Sequence, residues 1–150
     1  MTARMKIPAK QPVTYRKVYT VGNGQMTYIA NGQTTSVPLS AATTQGFVLT
    51  GLPADWVVTG VRIQNLVQWA GTQLQDLQVQ IVNDANPSVT YSASQSLVGP
   101  ITNASVWCSS PFTEAAVGAQ SIIVQFVSAG CNMSSLTAGR VEIIIRIEPI

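Results

Sequence analysis

Apolar and polar residues alternate along much of this chain, and the alternation is clearest in residues 139–150. Four β-branched residues follow at a spacing of two with charged residues between them: Val141, Ile143, Ile145 and Ile147 alternate with Arg140, Glu142, Arg146 and Glu148. A period of two places the two sets on opposite sides of a strand, whereas a helix would scatter the apolar groups around its axis. The pattern therefore predicts a β-strand, closed by Pro149 because proline lacks a ladder N–H.

The charged side of this strand has two interpretations. It is either a solvated edge face or a face that meets another subunit through matched Arg–Glu pairs. Four of the fourteen charged residues of the chain lie in this one segment, so its outer side is unusually polar for this sequence.

Other segments predict further strands and no long helix. Asn31-Gly32 lies between two strand-like segments, 25–30 and 33–37, and is a strong signal for a two-residue hairpin turn. Gly60 interrupts the long run 57–69 and predicts a bulge or bend. Segment 121–127 is apolar on nearly both faces, which predicts a central strand. Short strands with turn signals about every ten residues indicate an all-β sandwich or barrel with Greek-key connections.

Composition changes the picture because charged residues make up only 9% of the chain, while 46% is hydrophobic. Globular domains usually contain about 25% charged residues. An isolated monomer normally carries more charge to remain dispersed, so the deficit suggests that partners cover much of the surface. A secreted, polar β domain of the lectin or adhesin kind is the alternative.

The net charge of +2 is unevenly divided. Residues 1–17 contain no acid and hold five of the eight cationic residues: Arg4, Lys6, Lys10, Arg16 and Lys17. The other 133 residues hold three Arg and six acids, a net charge of −3. Pro8 and Pro12 disfavour a helix, so the sequence predicts an extended basic arm with an anionic partner. A disordered terminus that aids solubility is the alternative.

Several classes of chemistry have little support. The chain has no histidine, which removes Ser-His-Asp and Cys-His catalysis and the commonest metal ligand. Cys108 and Cys131 are interpreted as reduced, buried residues, and the sequence does not show whether they meet. No apolar run is long enough to cross a membrane, and the first residues do not form a signal peptide, so synthesis inside a cell is expected. Because the chain lacks histidine and with it the commonest catalytic groups, we expect no enzymatic activity.

Two weaker binding sites remain in the sequence. Asp84, in a turn with Asn83 and Asn86, and Asp55, in a loop, offer oxygen ligands for calcium at a subunit boundary. An Asx turn is the favoured interpretation of residues 83–86, and no resident cofactor is expected. The three tryptophans are expected in the core or in an interface rather than on a binding platform: Trp56, Trp69 and Trp107.

A basic arm, a helix-poor all-β body and a low-charge surface rich in Gln, Ser and Thr together resemble the coat protein of a very small icosahedral virus. The type is the minimal jelly-roll coat protein of satellite viruses and other tiny single-stranded viruses. The resemblance covers the whole chain as architecture. It implies an eight-stranded antiparallel jelly-roll sandwich at 18–150 with an extended arm at 1–17. It also implies a structural, non-enzymatic capsid protein, made in the host cytoplasm and present in many copies in the virion.

By the same resemblance the arm faces inward onto packaged single-stranded nucleic acid, with RNA favoured. The five arm cations, Arg4, Lys6, Lys10, Arg16 and Lys17, would then meet phosphates. Such arms are usually denser in Arg and Lys, so genome contact would also involve body residues such as Arg62, or the arm would pack between subunits. The alternative function is a β-sandwich binding module, either a carbohydrate-binding or a trimeric receptor-binding domain.

Overall fold

The computed structural model describes residues 11–30, 32–88, 90–98, 106–108 and 120–149. Ten strands and one 3₁₀ turn (Met133–Ser135) form this part of the chain. The strands are β1 (Val13–Gly22), β2 (Gln25–Ala30), β3 (Gln33–Pro38), β4 (Thr44–Leu49), β5 (Trp56–Gly71), β6 (Asp76–Asn83), β7 (Thr90–Ser96), β8 (Val106–Cys108), β9 (Ile122–Ala129) and β10 (Leu136–Pro149). None of the described segments is a helix of the length and apolarity needed to span a membrane.

The strands form two antiparallel sheets. The six-stranded sheet has the order β3-β2-β1-β10-β5-β8, and the four-stranded sheet has the order β4-β9-β6-β7. Without the β2–β3 hairpin, eight strands remain as two sheets of four, in the interleaved order of a jelly roll. The predicted antiparallel jelly-roll sandwich is therefore confirmed, with this hairpin as an addition to the eight strands. Gly32, at φ +75°, lies in the turn where the sequence predicts the hairpin.

β10 is the central strand of the larger sheet, since it pairs with β1 on one side and β5 on the other. Its four alternating apolar residues, Val141, Ile143, Ile145 and Ile147, are fully buried, as the sequence predicts. The strand lies at no sheet edge. Its charged residues therefore belong to the outer surface of the six-stranded sheet.

Two glycines shape the β5–β10 pair. Arg146 pairs with Gly60 and Ile147 pairs with Val58, so one residue of β5 is unpaired at the predicted bulge. Gly139 has φ +150°, and a Cβ there would overlap Cδ2 of the Trp69 ring. Glycine is therefore required where β10 crosses the Trp69 ring.

Aromatic side chains fill the space between the sheets. Trp56 packs edge-on against Tyr91 at 5.7 Å, and Trp69 packs against Phe126 at 5.6 Å. Both indoles are buried, so the predicted core role is confirmed for these two, while the side chain of Trp107 lies outside what the structure describes. β9 lies between β4 and β6, which confirms its central position.

Cys131 departs from the expected burial. It is a free thiol that is only half-buried, because it follows Gly130 in the loop after β9. The side chain of Cys108 lies outside the described residues.

The boundary between arm and body also differs from the expectation. The sequence predicts an extended arm through residue 17, but β1 begins at Val13 and pairs with β10 from Val13–Ile147 to Val21–Gly139. Val13 and Tyr15 pack against the core, so residues 13–17 belong to a strand of the body. The neighbouring prolines and cations obscured this alternation in the sequence. Residues 1–10 lie outside the described residues.

Candidate functional surfaces

The outer surface of the six-stranded sheet carries most of the charges of the described residues, and we call it the charged face. Alternation along β1, β5 and β10 directs six charged side chains outward: Arg16, Arg62, Arg140, Arg146, Glu142 and Glu148. Four arginines and two glutamates give this face a formal charge of +2. The sequence predicts the β10 members of this set, but not the β1 and β5 strands beside them.

Arg16 forms the shortest ion pair of this face. Its Nη2 lies 2.6 Å from Oε2 of Glu142, and its Nε donates to the same oxygen at 2.9 Å. Val18 is the backbone partner of Glu142, so Arg16 reaches diagonally across the β1–β10 ladder. The matched Arg–Glu pairing that the sequence suggested between subunits occurs here within one chain.

The structure describes two of the five predicted nucleic-acid residues, and it places them on opposite sides of β1. Arg4, Lys6 and Lys10 lie outside the described residues. Arg16 is on the outer side of β1, whereas Lys17 is on the opposite side and lines a cavity of about 170 Å³ with Tyr19 and Tyr28. Burial raises the pKa of Tyr19 well above its ordinary value, with a smaller contribution from Tyr28. Phosphate binding by these cations stays a prediction.

The outer surface of the four-stranded sheet is very different, and we call it the low-charge face. Its outward side chains are amides, hydroxyls and aliphatic groups: Thr44, Val48, Gln78, Gln80, Ser94, Ser96, Ile123, Gln125 and Val127. Asp76 is the one charged residue in the four strands of this sheet. No local pattern in the sequence predicts this face, because it depends on which strands become neighbours in the sheet.

Hydrogen bonds connect the polar side chains of the low-charge face. Gln80 Nε2 donates to Gln125 Oε1 at 2.6 Å, and Ser94 Oγ donates to Gln80 Oε1 at 3.0 Å. These bonds link β7, β6 and β9 across the surface. They also satisfy polar groups internally, which lowers the cost of covering them with another molecule.

Asp76 lies at one end of this face and is held by two donors. Ser96 Oγ donates to its Oδ1 at 2.7 Å, and Gln78 Nε2 donates to its Oδ2 at 3.0 Å. The hydrogen bond from Ser96 is the main reason that the pKa of Asp76 is lowered from its ordinary value. Asp76 is therefore ionised at neutral pH.

The two carboxylates suggested for calcium lie in the loop before β5 and the turn after β6. Neither Asp55 nor Asp84 belongs to a group of three or more ligating side chains within the described ranges. Asn83 Oδ1 accepts a hydrogen bond from the N–H of Asn86 at 3.0 Å, so this oxygen is already engaged within the turn. The calcium hypothesis stays a prediction.

Comparison with known proteins gives a structural match. No family model matches the chain, and no curated protein sequence matches it. Its structure is similar to a chain of the solved "Cyanophage Pam1 capsid asymmetric unit", with a TM-score of 0.54 and 13% sequence identity. The match covers 99% of this chain and 94% of that chain. At this identity the likeness shows that the two chains share a fold.

Proposed function

We propose that this chain is a structural protein of a viral capsid, present in many copies per particle and without enzymatic activity. The likeness over 99% of the chain to a chain of a cyanophage capsid asymmetric unit carries the proposal. The jelly-roll strand order supports it, because this fold is common in capsid proteins. Lectins share the fold, so the surface chemistry is the second part of the argument.

The low-charge face supports burial between neighbouring molecules in such a particle. Charged residues are depleted at the centres of protein interfaces because each must be dehydrated. Gln80, Gln125 and Val127 present a surface without that cost, and closed symmetry would repeat the contact around the shell. Individual contacts can then be modest, since many must break together.

The size and composition of the purified protein test this proposal. Size-exclusion chromatography with light scattering should show a large assembly, and electron microscopy should show closed particles. A stable monomer or trimer that never assembles, alone or with other capsid proteins of the same virus, would contradict the capsid function. It would favour the binding-module alternative, although Trp56 and Trp69 are buried and offer no carbohydrate platform.

We further propose that the chain encloses single-stranded nucleic acid in a small icosahedral shell, with the arm cations in contact with phosphates. The support is the acid-free, basic segment 1–17. Since Arg16 is paired with Glu142, the cations before β1 are the ones to test. The variant Arg4→Gln/Lys6→Gln/Lys10→Gln keeps the chain length and removes three charges.

Absorbance at 260 and 280 nm on the particle peak reports the packaged nucleic acid. We expect the triple variant to form particles with less nucleic acid, and Arg16→Gln to resemble the unaltered protein. Loss of three cations should lower the salt slope of log K by about 2 for single strands. Equal packaging by the triple variant would contradict phosphate binding by the arm and leave the capsid function intact.

A further inference from the structure

We propose that the free edge of β3 pairs with the β3 edge of a second copy of this chain, joining two six-stranded sheets across a two-fold axis. The inference builds on the proposed capsid function, because it names one contact through which copies would associate. No described strand lies beyond β3 in its sheet.

The hydrogen bonds that flank β3 show which of its backbone N–H and C=O groups point away from β2. The N–H of Leu39 donates to the carbonyl of Gly24 at 2.9 Å, on the β2 side. Backbone groups alternate sides along an antiparallel strand, so the N–H and C=O groups of Thr34 and Ser36 point away from β2. Pro38 also points its carbonyl outward, and there Gln45 Nε2 donates to it at 3.1 Å. Two donors and two acceptors therefore remain on the free edge between Gly32 and Pro38.

Within the described residues, Pro38 at the end of β3 is the one feature of this edge that opposes strand pairing, and the outward groups of Thr34 and Ser36 precede it. Natural edges are blocked by charged side chains, bulges, proline or covering loops. The segment Gln25–Pro38 contains no charged residue, and the β2–β3 register has no shift. By contrast, the pairing of edge strand β7 with β6 has two register shifts, and Lys17 lies with Val48 around the cavity beside edge strand β4.

A second copy fits this edge because the pairing is self-complementary. When Thr34 of one copy faces Ser36 of the other, both residues exchange two backbone hydrogen bonds, and symmetry doubles this to four. The facing side chains are both hydroxyls, as in the Thr27–Ser36 contact of 2.9 Å already present on this sheet. Thr35 of each copy then lies directly opposite its equivalent. No charges oppose each other in this register.

The expected contact is weak by itself. Pairing over three residues buries far less than the roughly 1,200 Å² of a stable interface. It would therefore act with other contacts in a particle, where many copies raise the effective concentration. The exposed side chain of Ile29, opposite Thr34 on β2, would add apolar area beside the seam.

Replacing the outward N–H tests the backbone contact. Ser36→Pro removes that N–H but leaves the β2–β3 ladder, because proline is tolerated where the N–H faces solvent. Ser36→Ala is the matched control that loses the hydroxyl and keeps the N–H. Two lost hydrogen bonds per two-fold contact should weaken self-association by roughly ten- to thirty-fold in Ser36→Pro, and far less in Ser36→Ala. Thermal melts of both variants verify the fold.

A disulfide trap reads the register separately from particle formation. In a Cys108→Ser/Cys131→Ser background, Thr35→Cys should give a cross-linked dimer on mild oxidation, since facing residues of this kind lie about 4.5 Å apart at Cα. Thr14→Cys, exposed on the outer side of the inner strand β1, should not. A Thr35→Cys dimer without particles would support the edge contact and count against the capsid function. Normal assembly of Ser36→Pro, no Thr35→Cys disulfide, or a disulfide only to another protein would overturn the edge contact.

Discussion

The two outer sheet surfaces of this jelly roll follow the same alternation rule but differ in what they present to the exterior. The charged face carries six charged side chains, including the Arg16–Glu142 pair. The low-charge face has one, Asp76, among amides, hydroxyls and aliphatic groups. Both are backed by the same core, so the difference arises only at the outward positions.

This difference supports the proposal that the low-charge face is the one that neighbouring molecules cover. Charged groups are costly to dehydrate unless each finds a partner, so the charged face is suited to water or a charged partner. The low-charge face can be covered at smaller cost, because its polar groups already bond to each other. In a protein that packs against copies of itself in a shell, the apolar and amide surface is the one expected at the contacts between neighbours.

Placing the same charge on each face tests the comparison most strongly. Val127 on the low-charge face is 36% exposed, and Val67 opposite Arg140 on the charged face is 45% exposed. Val127→Lys should abolish particles, because an unpaired charge buried in a contact costs about 3–5 kcal/mol. Val67→Lys is the matched control, and both should melt near the unaltered protein. Light scattering measures the size of the assemblies that each variant forms. Equal assembly of the two variants would contradict the proposal that the low-charge face is buried between copies.

A second substitution tests the core that supports both faces. Gly139→Ala would place a Cβ into the Trp69 ring at a φ that disfavours side chains, so unfolding should become easier by about 3 kcal/mol. Gly22→Ala is the control, because nothing lies within 4 Å of a Cβ there and its φ is not positive. Urea unfolding measures both. A Gly139→Ala protein as stable as Gly22→Ala would contradict the close packing of β10 on Trp69.

The Arg16–Glu142 ion pair on the charged face should contribute much less to the free energy of unfolding than the packing at Gly139. A double-mutant cycle with Arg16→Ala and Glu142→Ala should give a coupling free energy of about 0.5–1 kcal/mol, because Arg16 is 66% exposed. The coupling should fall as salt is added. The Arg146–Glu148 pair, at 3.8 Å and exposed on both sides, is the matched comparison and should couple more weakly. A stronger coupling at Arg146–Glu148 would reverse the assignment of Arg16–Glu142 as the main pair.

Local patterns in the sequence were sufficient for much of this architecture. The alternation in β10, the hairpin around Gly32 and the bulge at Gly60 each depend on neighbouring residues. The start of β1 was missed because Arg16 and Lys17, read as part of a basic run, in fact point to opposite sides of a strand.

The surfaces were harder to predict because they depend on which strands become neighbours. Arg16 and Glu142 are 126 residues apart, and no local pattern pairs β1 with β10. The low-charge face combines four strands between Thr44 and Ala129 in an order that differs from the chain order. Composition indicated a shortage of charge, but only the sheet order shows that the shortage is concentrated on one side.

The smallest expected effect concerns Asp76, the one charge of the low-charge face. Its pKa is lowered in the folded state, chiefly by the hydrogen bond from Ser96, so the folded protein binds fewer protons than the unfolded chain near that pKa. The resulting stability is present above the ordinary pKa of the unfolded chain and is lost as the pH falls through the lower folded value. Ser96→Ala should raise the pKa of Asp76 towards 3.8 and flatten this part of the stability profile.

Ser94→Ala, whose hydroxyl bonds to Gln80 instead, is the control and should leave the titration of Asp76 unchanged. An NMR titration of the carboxyl group, with urea unfolding between about pH 2 and pH 5, measures both effects. Equal shifts in the two serine variants would mean that the Ser96 bond does not set this pKa. The lowered pKa of Asp76 would then depend on the hydrogen bonds from the Gln78 side chain and the Leu77 backbone rather than on the Ser96 hydroxyl.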